Sequence, residues 1–181
     1  GSCFIGGNLA ESSGGPKAVK YGVTRDYVLN LEVVLPDGEI IWTGADVLKN
    51  ATGYDLTRLM VGSEGTLGVI TKAVFRLIPL PRLDVLMLVP FSSANKACKA
   101  VSAIFKAGII PSGMEFMERD ALLMVNEFIG GDFQIPDEVQ AHLLIELDGN
   151  DMDQLMKEAE VVMGVLEQFE AGEILFAETA S

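Results

Sequence analysis

The hydrophobic periodicity of residues 85–177 constrains the fold more than any other feature of this chain. Residues 85–89 form a short apolar run of strand length. Ala97, Val101, Ile104 and Phe105 then recur at the spacing that gathers side chains on one helical face. Ser92 or Ser93 stands where a helix over 94–107 needs an N-cap, and Gly108 where it needs a stop. Residues 113–117 read as a strand, 119–128 as a helix and 142–147 as a strand. A long helix over 151–169 carries Met152, Leu155, Met156, Ala159, Val162, Met163 and Leu166 on one side. Residues 173–177 make a last strand. Leaving out the 119–128 helix, the order is β-α-β-β-α-β, the split βαβ arrangement of ferredoxin-like folds. The expectation is an antiparallel sheet backed by the two long helices, with the methionine stripe as core packing rather than a cofactor contact.

Residues 1–82 have a different character. Glycines punctuate them, at Gly6-Gly7-Asn8 and at Ser12-Ser13-Gly14-Gly15-Pro16, and both stretches read as turns and loops. Apolar runs at 27–35 and 39–43 flank Pro36-Asp37-Gly38, a hairpin signal. Residues 55–61 read as a short helix, 62–68 as a glycine-rich turn, and 69–78 as a strand ended by Pro79 and Pro81. This half holds eight basic and eight acidic residues; residues 83–181 hold five basic and eighteen acidic, which accounts for the net charge of −13. Twelve of the 19 glycines lie in the first part and seven of the eight methionines in the second. Two structural units are therefore expected to meet near 79–82.

Several function classes fall away. The acidic second half would repel phosphates, so nucleic acid is not an expected partner. No apolar run is long enough to span a bilayer, and no secretory signal is evident. Cys3 and Cys98 give neither a metal pattern nor a disulfide framework, which fits a reducing compartment. His142, the sole histidine, sits in an apolar run and reads as a packed side chain; no metal site is expected.

What remains are the glycine segments. Paired glycines let backbone approach a ligand and expose N–H groups to its acceptors. Asn8 can donate and accept at once. Gly62-Ser63-Glu64-Gly65-Thr66-Leu67-Gly68 has the spacing G-x-x-G-x-x-G, which is not the dinucleotide fingerprint, and it lacks the lysine of a P-loop. Glu64, the one ionisable residue inside it, is either a hydrogen-bond acceptor for ligand hydroxyls or a turn stabiliser.

Five blocks stand in a telling order: Ile5-Gly6-Gly7-Asn8-Leu9-Ala10-Glu11, Gly14-Gly15, Lys20-Tyr21-Gly22-Val23-Thr24-Arg25-Asp26, Lys49-Asn50-Ala51-Thr52-Gly53-Tyr54-Asp55-Leu56, and Gly62 to Thr71. With Ile109-Ile110-Pro111 leading to Met114-Glu115-Phe116-Met117, they resemble the FAD-linked oxidases of the glycolate oxidase flavin subunit and D-lactate dehydrogenase group. The resemblance implies an α+β chain: residues 1–81 as the second part of an FAD-binding α/β domain, and 82–181 as the first part of a ferredoxin-like substrate (cap) domain. It implies FAD as cofactor and a small D-2-hydroxyacid as substrate, oxidised by hydride transfer to flavin. Carried over residue by residue, the flavin-lining positions are Gly6, Gly7, Asn8, Gly14, Gly15, Tyr21, Gly22, Glu64, Gly65, Gly68 and Ile70. Gly6, Gly7, Gly65 and Gly68 are expected to meet FAD through backbone atoms, with room for no more than hydrogen at Gly7. No catalytic base is identified. Lys17, Lys20, Arg25 and Lys49 are the cations nearest these motifs in sequence. The family's pyrophosphate loop and its histidine-rich segment have no counterpart here, so the chain alone is expected neither to retain FAD tightly nor to oxidise D-lactate or glycolate. A cytoplasmic location and either a homo-oligomer or another subunit as partner complete the reading. The alternatives are a flavoenzyme like UDP-N-acetylmuramate dehydrogenase, and a non-catalytic partner-binding module.

Overall fold

The computed structural model describes residues 3–180. They divide into two compact units, one of residues 3–18 and 22–79, the other of 19–21 and 80–180.

The first unit contains helix α1 (Ile5–Glu11), the start of the short helix α2 (Ala18–Tyr21), strands β1 (Val28–Val34) and β2 (Ile40–Trp42), helix α3 (Leu56–Met60) and strand β3 (Val69–Phe75). The sheet is antiparallel in the order β2-β1-β3. β1 is central: Leu31 and Val33 are fully buried with Leu9, Val61 and Met60, while Glu32 points to the other face, where Lys72 Nζ sits 2.8 Å from its carboxylate. The hairpin closes where Leu35 N donates to Glu39 O and Gly38 N to Leu35 O, with Gly38 at φ +88°. β3 stops at Phe75, three residues short of the sequence expectation.

One expectation is corrected. The segment with Gly6, Gly7 and Asn8 is helix α1, not a loop. Two glycines cost such a helix about 1 kcal/mol each relative to alanine. Tertiary contacts outweigh that: Leu9 is buried in the core, and the carbonyls of Leu9 and Ala10 accept from Gly62 N and Glu64 N, both at 2.9 Å.

The second unit contains β4 (Leu83–Phe91), α4 (Ala94–Lys106), β5 (Gly113–Glu118), α5 (Arg119–Phe128), β6 (Ala141–Gly149), α6 (Met152–Glu167) and β7 (Leu175–Ala180). The antiparallel sheet runs β5-β6-β4-β7, the split βαβ topology expected from the sequence. β4 and β6 pair along their whole length, from Leu83 opposite Gly149 to Phe91 opposite Ala141. Val85, Met87, Val89 and Phe91 alternate into a core with Leu143, Ile145 and Leu147. That face is covered by Ala97, Ala100 and Ile104 of α4 and by Leu155, Ala159, Val162 and Leu166 of α6. Burying each larger aliphatic side chain contributes about 1.5–3 kcal/mol. Met152, Met156 and Met163 pack against the same cluster, as structural rather than ligand-binding methionines.

Ser93 holds the N-cap position of α4, but its side chain makes no capping bond. The far end of α4 closes by a Schellman arrangement: Gly108, at φ +86°, donates to Phe105 O, and Ile109 N reaches Ile104 O. Asp151 caps α6 by accepting from Gln154 N at 3.2 Å. The 129–140 connection is tied down by Arg119, whose guanidinium donates to the carbonyls of Ile135, Pro136 and Val139 and pairs with Asp137.

Candidate functional site

In the first unit α1 and the 62–68 segment lie side by side, joined by the two hydrogen bonds from Gly62 and Glu64. The second segment contains a tight turn. Thr66 N donates to Ser63 O at 3.0 Å, and both central residues have positive φ, Glu64 at 51° and Gly65 at 76°. Two successive positive values mark a type I′ turn, a conformation glycine adopts freely and glutamate does not. Arg25 braces the arrangement from behind: its Nε donates to Ser12 Oγ at 3.1 Å and its Nη2 to Val61 O at 3.3 Å. Ser12 is the left-handed C-cap of α1 and Val61 follows α3, so one guanidinium holds the ends of both helices.

The glycines of the site sort into two kinds. A β-carbon built on Gly14 falls 2.9 Å from Val23 Cγ1; on Gly22, 2.5 Å from Asp26 Oδ2; on Gly68, 2.7 Å from Val33 Cγ1 and 2.8 Å from Val34 O. These three are required by the chain's own packing. On Gly6, Gly7, Gly15 and Gly65 the same atom meets nothing within 4 Å. Neither Gly6 nor Gly7 has a positive φ, so no backbone angle demands glycine at either position. The expectation that Gly7 admits only hydrogen is therefore not met by the chain's own atoms; any such restriction has to come from a ligand. An open helix flank of bare backbone fits a flat ring system laid against it, so these residues suit the flavin that the sequence implies.

A shallow cavity of about 220 Å³ brings Gly6 together with Ile70; Ile5, Leu9 and Phe75 supply apolar walls. Asn8 is half-buried, and its Nδ2 lies 3.4 Å from Cys3 Sγ. Tyr21 belongs with the second unit, where its hydroxyl donates to Asp148 Oδ1 at 2.7 Å. Lys20 Nζ lies 2.6 Å from the same oxygen, and the Asp148 side chain is fully buried. Lys20, one of the four cations nearest the flavin-like motifs in sequence, is thus already paired.

His142 lies on β6 at 5% exposure, and its Nδ1 has no hydrogen-bond partner. Burial holds its pKa below the ordinary histidine value. Among the described residues there is no cluster of side chains able to hold a metal ion and no helix long and apolar enough to cross a membrane. Cys3 and Cys98 are exposed free thiols.

Residues 80–181 match the family model described as FAD linked oxidases, C-terminal domain, and residues 1–44 match the FAD binding domain. The chain is 42% identical to a glycolate oxidase subunit GlcD from Bacillus subtilis, over 97% of this chain and 37% of that protein. It is 38% identical to a D-lactate dehydrogenase from Anaerostipes hadrus, over 97% of this chain and 38% of that one. It spans little more than a third of the length of either relative. Among solved structures, an alkyldihydroxyacetonephosphate synthase superposes with a TM-score of 0.69 at 23% identity, covering 93% of this chain and 32% of the other, a likeness of fold.

Proposed function

Since the chain belongs to the FAD-linked oxidase family, we propose that it forms part of a flavoenzyme oxidising a small D-2-hydroxyacid of the glycolate or D-lactate type. The observation that carries the reading is the bare flank of α1, where Gly6 and Gly7 lack side chains although neither packing nor backbone angle asks for glycine. Gly15 repeats the pattern, and Gly65, whose positive φ favours glycine, is equally open on its outer side. When bound, FAD supplies the two-electron acceptor for the substrate's hydride, and the protein supplies position.

The chain's own contribution is a preorganised wall. Gly6, Gly7, Asn8, Gly15, Glu64, Gly65 and Ile70 are assigned to contact FAD. Gly14, Gly22 and Gly68 set the close packing behind it. Arg25 keeps Ser12 and Val61 in register, so the two segments form one surface. Tyr21 is fixed by Asp148 rather than left free. The names of the two relatives support the substrate class, and the word subunit in one of them supports a partner chain for the complete enzyme. The split βαβ unit and the match over 80–181 favour this reading over a UDP-N-acetylmuramate dehydrogenase-like enzyme.

The test uses the complete protein that carries this chain. Purified, it is expected to be yellow, with about one flavin per polypeptide, and to reduce an artificial acceptor with D-lactate or glycolate. Bound flavin with turnover on neither acid would overturn the substrate class; a colourless protein after reconstitution would overturn the cofactor site. The chain alone, given excess FAD and desalted, is expected to come through without flavin.

A further inference from the structure

The first unit contains a second cavity, of about 380 Å³, lined by residues around Arg25, the 43–58 segment and Arg76. Three guanidinium groups face it. Arg58 is neutralised: its Nη2 lies 3.1 Å from Asp26 Oδ1 and its Nε 3.5 Å from Asp55 Oδ2. Those two carboxylates also line the cavity and are further occupied. Asp26 Oδ2 accepts from Val23 N, and Asp55 Oδ1 from Arg58 N.

Arg25 and Arg76 differ in kind. Arg25 donates to a serine hydroxyl and a backbone carbonyl. The Arg76 guanidinium lies over the Tyr27 ring, 5.3 Å from its centre. Oxygen acceptors without charge and an aromatic face fix a guanidinium in place but do not cancel its charge. Arginine stays protonated at any physiological pH. The cavity therefore presents three positive groups against two carboxylates, with both carboxylates already spent on the same arginine. Asn50, Thr52 and Tyr54 add neutral donors around it. The overall charge of −13 does not produce this; the positive character is local and built by position.

We propose that this cavity binds a small free oxyanion, a phosphorylated or polycarboxylic acid of metabolite size, through Arg25 and Arg76. Planar guanidinium groups meet carboxylate and phosphate oxygens with paired, charge-assisted hydrogen bonds. The volume lies at the lower end of small-molecule sites, which suits one compact acid. Because both arginines are held before the anion arrives, little side-chain freedom is lost on binding.

The experiment is calorimetric titration of the chain with citrate and, separately, with inorganic phosphate, at constant ionic strength. The two arms distinguish a carboxylate from a phosphate preference. Saturable one-to-one binding is expected for at least one, weakened about tenfold or more in Arg76→Gln, the loss of one charge-assisted contact. Arg76→Gln removes a group that rests on a ring face, so its far-UV circular dichroism should be unchanged. Arg25→Gln is the second variant, and Lys99→Gln on α4 should bind like the unaltered chain. No saturable binding of either probe, or equal affinity in Arg76→Gln, would overturn the proposal. Competition by FAD for the same site would also overturn it, by assigning the arginines to the cofactor.

Discussion

Replacing Gly7 by alanine separates stability from cofactor binding. Gly7 is inside α1, its φ is not positive, and a β-carbon there touches nothing within 4 Å. Alanine in a helix interior is about 0.8–1 kcal/mol more favourable than glycine. Much of that gain reflects the smaller freedom of the unfolded chain, so it should appear even though no contact is made. For a unit of this size, 1 kcal/mol is worth roughly 4–8 °C in melting temperature. Trp42, the sole tryptophan, lies on β2 of the same unit and reports its unfolding by fluorescence in urea. Gly7→Ala should thus raise the urea midpoint while lowering the flavin content of the complete enzyme. Gly68→Ala should do the opposite to stability, by about 1–3 kcal/mol, because the new atom meets the buried Val33 and the backbone of Val34. A Gly7→Ala protein with full flavin content would refute the reasoning that a ligand occupies that flank. A lowered midpoint would refute the reading of α1 as a helix free of steric demand.

Two further outcomes are expected. Glu64→Gly should stabilise the first unit by about 1 kcal/mol, by relieving a left-handed conformation at a residue with a β-carbon; denaturant titration followed at Trp42 checks the sign. His142 should make the second unit acid-sensitive. Its folded pKa lies below its unfolded value of about 6.5, so the unfolded state binds more protons and stability rises with pH. The contribution is complete above that value and is lost as pH falls toward the folded pKa. Urea titrations of the unaltered chain and of His142→Leu between pH 7 and pH 5 should show the former losing stability relative to the latter, and a constant difference would contradict this.

The second unit was legible in the sequence because its signals are local and repeated. Ala97, Val101 and Ile104 announce α4, and Met152 to Leu166 announce α6; the sheet order then follows from few allowed topologies. Helix α1 was not legible, because Gly6 and Gly7 argue against a helix and what favours it lies more than fifty residues away, at Gly62 and Glu64. The pairing of Lys20 with Asp148 and the stacking of Arg76 on Tyr27 are likewise long-range, and no spacing rule points to them.

The site glycines show why the motifs had to be read by resemblance. In sequence Gly7, Gly14 and Gly68 are alike, each part of a glycine-rich stretch. In the structure Gly14 and Gly68 are explained by neighbouring side chains and backbone, and Gly7 is not. A glycine without an internal reason leaves room for a ligand, and the proposed FAD contact at Gly7 rests on that. Glu64 argues the same from the other side. It holds a left-handed conformation that costs a residue with a β-carbon about 1–2 kcal/mol. The adjacent Gly65 occupies the same region without that cost. A carboxylate kept in strain at an exposed turn, next to a bare glycine, agrees with the proposed contact of this turn with the cofactor. That supports placing Glu64 with Gly65 against the cofactor rather than among the structural turn residues.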